Sequence, residues 1–201
     1  MFRVRDYLSI TAVLLAASLA APAVAQSAGA SEPVARRLID APPGFGETCA
    51  RYRWLCNNLT ATASPADPLA LADMINRRVN ATVSELSDAE NYGVAEYWSL
   101  PTNGNGDCED FVLQKYKLLL DAGVDSRALS IAVVLDRDGN NHAVLILRHR
   151  SGDLVLDSLS SRIRPWNQTG YTFLAMQSGA DKTQWEVVMN QPRDRTVLAR
   201  R

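Results

Sequence analysis

The sequence predicts an α+β fold, and three observations carry that prediction. Apolar residues recur at helical spacing up to about residue 120, short extended runs replace them after residue 128, and turn-forming Gly, Asn and Asp separate those runs. Helices that precede an antiparallel sheet, rather than alternating with strands, define that class.

The elements follow in order. Arg3 and Arg5 open the chain, Leu8 to Ala20 is an apolar run, and Ala23-Val24-Ala25 offers the small residues of a cleavage site. Residues 1–25 are therefore expected to be a signal peptide cut before Gln26; an uncleaved membrane anchor is the rival, but the run is short and Ala-rich for a span. An exported, periplasmic protein is the expectation. Residues 26–46, rich in Ala, Ser, Pro and Gly, read as a flexible lead-in, and residues 47–201 as one domain. Cys49 and Cys56, with six residues between them, suit a local disulfide in an oxidising compartment; zinc is the rival, but no His or further Cys lies near. Leu69 to Asn80 carries Leu71, Met74, Ile75 and Val79 at helical spacing behind Asp67-Pro68 as a start. Ser87 and Glu90 have the spacing of a capping box. Leu100 to Gly106 reads as a loop.

The clearest helix begins after that loop. Cys108, Val112, Tyr116 and Leu119 share a stripe, Asp107 is placed as the N-cap, and Gly123 as the stop. Leu129 to Leu135, His142 to Arg148, Leu154 to Ser158 and Trp185 to Met189 read as strands, with turns at 138–141 and 151–153.

Charge narrows the function classes. The chain has 21 basic and 22 acidic residues, a net of -1, and 47% hydrophobic residues. That balance excludes general nucleic-acid binding and global disorder. No other apolar stretch is long enough to span a membrane.

With Cys49 and Cys56 paired, Cys108 is an unpaired thiol at a helix start behind a Gly-rich loop. Helix N-terminal amides favour a thiolate there, although a Cys on a helix is also a common core residue. A thiol nucleophile needs a base. His142 opens a strand beside a turn, whereas His149 falls on the opposite face by strand parity. Asp157, at the end of apolar Leu154-Val155-Leu156, is the acceptor that would orient the imidazole. A hairpin whose paired numbers sum to 299 or 301 places His142 and Asp157 on one face; a turn centred on Ser151-Gly152 implies a larger sum, so a wider or bulged loop is expected. Asp107, Glu109 and Asp110 crowd the thiol with like charge, a conflict that a bound cation would remove. Asn103, Asn105, Asp107 and Glu109 offer oxygens at alternate positions suited to calcium, though not in an EF-hand pattern; a solvated acidic helix start is the alternative.

Tyr97-Trp98-Ser99-Leu100-Pro101, Gly106-Asp107-Cys108-Glu109-Asp110-Phe111, Asn141-His142-Ala143-Val144 and Leu156-Asp157-Ser158 resemble the bacterial transglutaminase-like cysteine peptidase family, over about residues 70–175. The Val79-Asn80 pair is similar to that family's upstream segment. Its best-known members are LapG-type periplasmic proteases that release surface adhesins. The resemblance implies a papain-like, transglutaminase-like fold with the nucleophile helix packed on an antiparallel sheet. It implies Cys108 as nucleophile, His142 as general base and acid, Asp157 as orienting carboxylate, and a calcium site at Asp107 and Glu109. It also implies an adhesin substrate and an inner-membrane cyclic-di-GMP receptor as partner. Ser158 and the Cys49/Cys56 pair depart from the family's usual pattern. Trp98 and Trp166 are candidates for the substrate groove, although a large aromatic is more often a core residue. A transglutaminase, a cell-wall amidase, or a silent calcium- or partner-binding module on the same fold are the competing readings.

Overall fold

A computed structural model describes residues 35–60 and 65–188. Asp67 begins α3 (Pro68–Thr82): its side chain accepts from the Ala70 amide at 2.9 Å, and Pro68 occupies the first turn, where its missing N–H costs nothing. Before it lie β1 (Ala35–Ile39), α1 (Phe45–Arg51) and α2 (Arg53–Cys56). A disulfide joins Cys49 to Cys56 across α1 and α2, with Cα atoms 5.6 Å apart. Residues 35–39, inside the segment expected to be a flexible lead-in, thus form a strand, and the expected signal peptide lies outside the described residues.

After α3 come β2 (Ser84–Glu85), α4 (Asp88–Asn91), β3 (Asn105–Gly106) and α5 (Cys108–Asp121). The capping-box spacing at Ser87 and Glu90 yields a direct side-chain bond, Oγ to Oε2 at 2.7 Å, rather than a side-chain cap on the helix amides. The loop expected over 100–106 contains β3, which pairs in parallel with β2. Helix α5 ends as expected: Gly123 takes φ +88°, and the Val124 amide reaches back to the Leu119 carbonyl at 2.9 Å.

Strands β4 (Leu129–Leu135), β5 (Asn141–His149), β6 (Gly152–Leu156), β7 (Arg164–Pro165), β8 (Thr172–Gln177) and β9 (Trp185–Val188) complete the chain. With β1 they form a seven-stranded sheet in the order β1-β9-β8-β4-β5-β6-β7, every pair antiparallel. Strands β1, β7 and β8 were not expected from the sequence. Leu129, Ile131, Ala143, Leu145, Leu147 and Leu156 pack with Val112, Leu113, Tyr116 and Leu119 of α5 and with Ile75 and Val79 of α3. The alternate residues Val144, Ile146 and Val155 join Trp166, Phe173 and Met176 on the other face. Each such fully buried aliphatic or aromatic side chain contributes about 1.5–3 kcal/mol. The antiparallel sheet with the Cys108 helix against one face is the α+β arrangement expected. Among the described residues no helix is long and apolar enough to cross a membrane.

Candidate active site

Cys108 is the first residue of α5, half-buried, and the free cysteine among the described residues. It lines a cavity of about 250 Å³ with His142, Asn80, Val83, Glu85, Phe111, Ser158 and Leu159. A larger cavity of about 520 Å³ lies at the other end of β5, beside Arg148–Arg150 and the start of α3, and neither Cys108 nor His142 lines it. The fold therefore brings Cys108 and His142 into one space.

The hairpin register explains how Asp157 joins them. Strands β5 and β6 pair Leu145 with Leu156 and His149 with Gly152, so paired numbers sum to 301. The turn is the two residues Arg150-Ser151, one position earlier than expected, and no wider loop or bulge is needed. That register sets His142 and Asp157 diagonally on one face. Their side chains meet at 2.8 Å, His142 Nε2 to Asp157 Oδ1, both buried. With Nε2 tied to the carboxylate, Nδ1 is the nitrogen left for a thiol. His149 is taken up in the hairpin turn, its Nδ1 2.7 Å from Ser151 Oγ.

Asp157 is held at every polar atom. Oδ1 also accepts from the Leu159 amide at 3.0 Å, and Oδ2 accepts from the Tyr171 hydroxyl at 2.6 Å. Its amide donates to Asn76 Oδ1 at 3.2 Å, and its carbonyl accepts from Asn80 Nδ2 at 2.8 Å. Asn76 and Asn80 are one turn apart on α3, so one helix face clamps both sides of this residue's backbone. Burial alone would raise the Asp157 carboxyl, but the bonds from His142 and Tyr171 hold it below the usual carboxylate range. Asn76, Asn80 and Tyr171 were missed in the sequence; Asn80 was visible there only as half of the Val79-Asn80 pair, without a role.

The thiol's surroundings are acidic. Burial and the neighbouring Glu109 carboxylate push the Cys108 thiol up, against the helix N-terminus that favours a thiolate, and Sγ donates to Glu109 Oε2 at 3.2 Å. Asp107 does not cap α5 with its side chain, as the sequence suggested; its Oδ2 accepts instead from the Asp88 amide at 3.2 Å. Asp88, Asp107 and Glu109 each bring a carboxylate oxygen within 4.8 Å of the others. Burial and Asp107 drive the Glu109 carboxyl up to about 9, and burial drives Asp110, which accepts from the Ser99 amide at 2.7 Å, to about 8.

These residues fit a hard divalent cation. Asp88 Oδ1 and Asp107 Oδ1 are buried without a hydrogen-bond partner among the described residues, and crowded carboxylates with unsatisfied oxygens are what calcium takes. Asp88 is the residue that the sequence did not supply, lying 19 positions from Asp107 in a stretch expected to be a helix cap. Asn103 and Asn105 are used on one another, Asn103 Oδ1 accepting from the Asn105 amide at 3.0 Å. Gly106 belongs to the same construction: a Cβ there would stand 2.5 Å from the Asp110 Cβ, so only glycine lets the loop lie on that side chain. Trp98 and Trp166 are core residues, 3% and 2% exposed, as large aromatics usually are.

A model of the family described as bacterial transglutaminase-like cysteine proteinase (BTLCP) matches residues 35–193. Three solved structures of Legionella pneumophila LapG, one calcium-bound, one EGTA-treated and a third, are similar at 26% identity and a TM-score of 0.49. The aligned region covers 56% of this chain and 64–66% of theirs, so the chain spans just under two thirds of their length. No curated protein sequence matches the chain.

Proposed function

The chain belongs to the bacterial transglutaminase-like cysteine proteinase family, and from that premise we propose that it is a periplasmic cysteine endopeptidase with Cys108, His142 and Asp157 as its catalytic triad. The observation that carries this reading is the shared cavity: Cys108 and His142 line it together, while the far nitrogen of that imidazole is bonded to Asp157.

His142 Nδ1 takes the proton from Cys108 Sγ as the sulfur attacks a substrate carbonyl, and Asp157 stabilises the imidazolium that results. The Cys108 amide, at the first turn of α5, faces the negative charge that develops on the carbonyl oxygen. His142 returns the proton to the leaving amine, a water resolves the thioester, and the thiol is regenerated. Asp88, Asp107 and Glu109 would hold calcium, which supplies positive charge beside the nucleophile when bound. Glu109 also touches the sulfur directly, as the acceptor of the Cys108 thiol.

The substrate is an exported protein, a surface adhesin in the first instance, and an inner-membrane cyclic-di-GMP receptor is the regulatory partner this reading carries with it. Its test is to incubate surface and exported proteins from a host lacking the gene with the purified chain, in calcium, and to sequence new N-termini. The chain is expected to create new termini at a few sites and the Cys108→Ala variant none, with both melting within a few degrees of each other. Equal cleavage by both would end the triad assignment. Incorporation of a labelled amine without new termini would move the function to acyl transfer.

A further inference from the structure

Among the described residues, one oxygen of Asp157 carries two donors and the other carries one. Oδ1 receives His142 Nε2 and the Leu159 amide, whereas Oδ2 receives the Tyr171 hydroxyl, at 2.6 Å. The terminal torsion of an aspartate is broad and two-fold, so a carboxylate held by one oxygen alone can swing. Asn76 and Asn80 fix the backbone of this residue, which leaves its side-chain torsions as its remaining freedom.

We propose that Tyr171 is a positioning residue for the His142–Asp157 pair: its hydroxyl pins Oδ2 so that Oδ1 stays on His142 Nε2, while its ring buttresses the imidazole. The ring meets the imidazole edge-on, with centroids 5.9 Å apart and planes at 85°. Tyr171 is itself anchored and only 5% exposed. Its amide donates to Thr169 Oγ1 at 3.2 Å, which donates in turn to the Trp166 carbonyl at 2.8 Å. Arg137 Nε donates to the Thr169 carbonyl at 2.8 Å, and the guanidinium lies 6.0 Å from the centre of the tyrosine ring. The position is therefore braced from the β4–β5 turn, independently of α3 and α5. Burial and Asp157 push the Tyr171 phenol up, so it remains a donor wherever the pair is ionised.

The significance of the pair rests on the peptidase reading, but its geometry is open to a measurement that does not involve turnover. Proton NMR of the full chain should show a protected downfield resonance from His142 Nε2–H, identified by its loss in His142→Gln. Tyr171→Phe keeps the ring and removes the hydroxyl. That variant is expected to move this resonance upfield and to speed its exchange with water roughly tenfold or more, with near-UV circular dichroism unchanged. An unchanged shift and exchange rate would overturn the proposal. If Tyr171→Phe does not fold, the unaltered protein decides: the Tyr171 hydroxyl proton must itself be a protected downfield resonance, and its absence would overturn the proposal equally. On a peptide cut in the proteolysis experiment, Tyr171→Phe should lower kcat roughly ten- to a hundredfold with KM within twofold, and equal kcat would count against it. Failure of Cys108-dependent proteolysis would leave the NMR result standing, so the two ideas fail separately.

Discussion

The Cys108 thiol donates to the carboxylate of the residue that follows it, Sγ to Glu109 Oε2 at 3.2 Å. Glu109 is in turn raised by burial and by Asp107, and Asp107 shares its neighbourhood with Asp88. Nucleophile and acidic cluster are thus one electrostatic unit, and whatever binds the cluster acts on the sulfur.

Calcium is expected to stabilise the protein more at pH 8 than at pH 5. Glu109 and Asp110 have folded-state values raised to about 9 and about 8, so the folded chain binds more protons than the unfolded one between roughly pH 4 and those values. Without calcium their contribution is fully present below pH 4 and is lost as the pH rises through 8 and 9. Melting temperatures across that range, with EGTA and with millimolar calcium, test this. A calcium increment that is equal at both pH values, or absent, would reduce the cluster to a helix start.

Asp157→Asn should fold and lose activity. Its backbone ties to Asn76 and Asn80 do not involve the carboxylate, but an amide in place of Oδ1 no longer fixes the imidazole with Nδ1 free. A fall in kcat of roughly 10²- to 10⁴-fold with the near-UV circular dichroism of the folded protein retained is the expected result.

Asn76→Ala should act through stability first. Asn76 is fully buried, and its removal leaves the Asp157 amide and the Ser160 carbonyl without their side-chain partner. Urea denaturation is expected to show a loss of about 1–3 kcal/mol. A change below about 0.5 kcal/mol, the roughly neutral range for a surface site, would show that the clamp is dispensable.

Lys115→Met should stabilise the protein at neutral pH. Lys115 is fully buried on α5, its Nζ has no hydrogen-bond partner among the described residues, and burial lowers it to about 7 despite attraction from Asp157. A base lowered in this way penalises the folded state fully below pH 7, and the penalty is relieved as the pH rises towards 10. Replacing the unpartnered amine should add about 1–3 kcal/mol at pH 7 and less at pH 10. Equal gains at the two values would assign the effect to packing alone.

Local chemistry made much of this molecule legible. Leu129 to Leu135 and the run after His142 have the apolar continuity of buried strands, and Asp67-Pro68 and Gly123 mark helix ends by backbone rules that act within a few residues. Cys108, His142 and Asp157 were legible as reactive types in positions where each needs a partner. Asp88 and Tyr171 were not, because neither has a local signature: one lies 19 residues from Asp107, and the other 14 residues from Asp157 in an ordinary strand approach. Strand β1 was hidden by an Ala- and Pro-rich neighbourhood; it exists because β9 offers it an edge.

Residue type and near-neighbour spacing therefore determined which groups this protein has available and which segments coil or extend. Only the tertiary structure decided which of them meet. It centred the turn on Arg150-Ser151, so that His142 and Asp157 are diagonal neighbours on one face, and it brought Asp88 to Asp107 at the start of α5 to add a third carboxylate. The physical reason is that hydrogen bonds and charges act over a few ångströms in space. Pairings across tens of residues are chosen by sheet register and helix packing, not by anything those residues carry themselves.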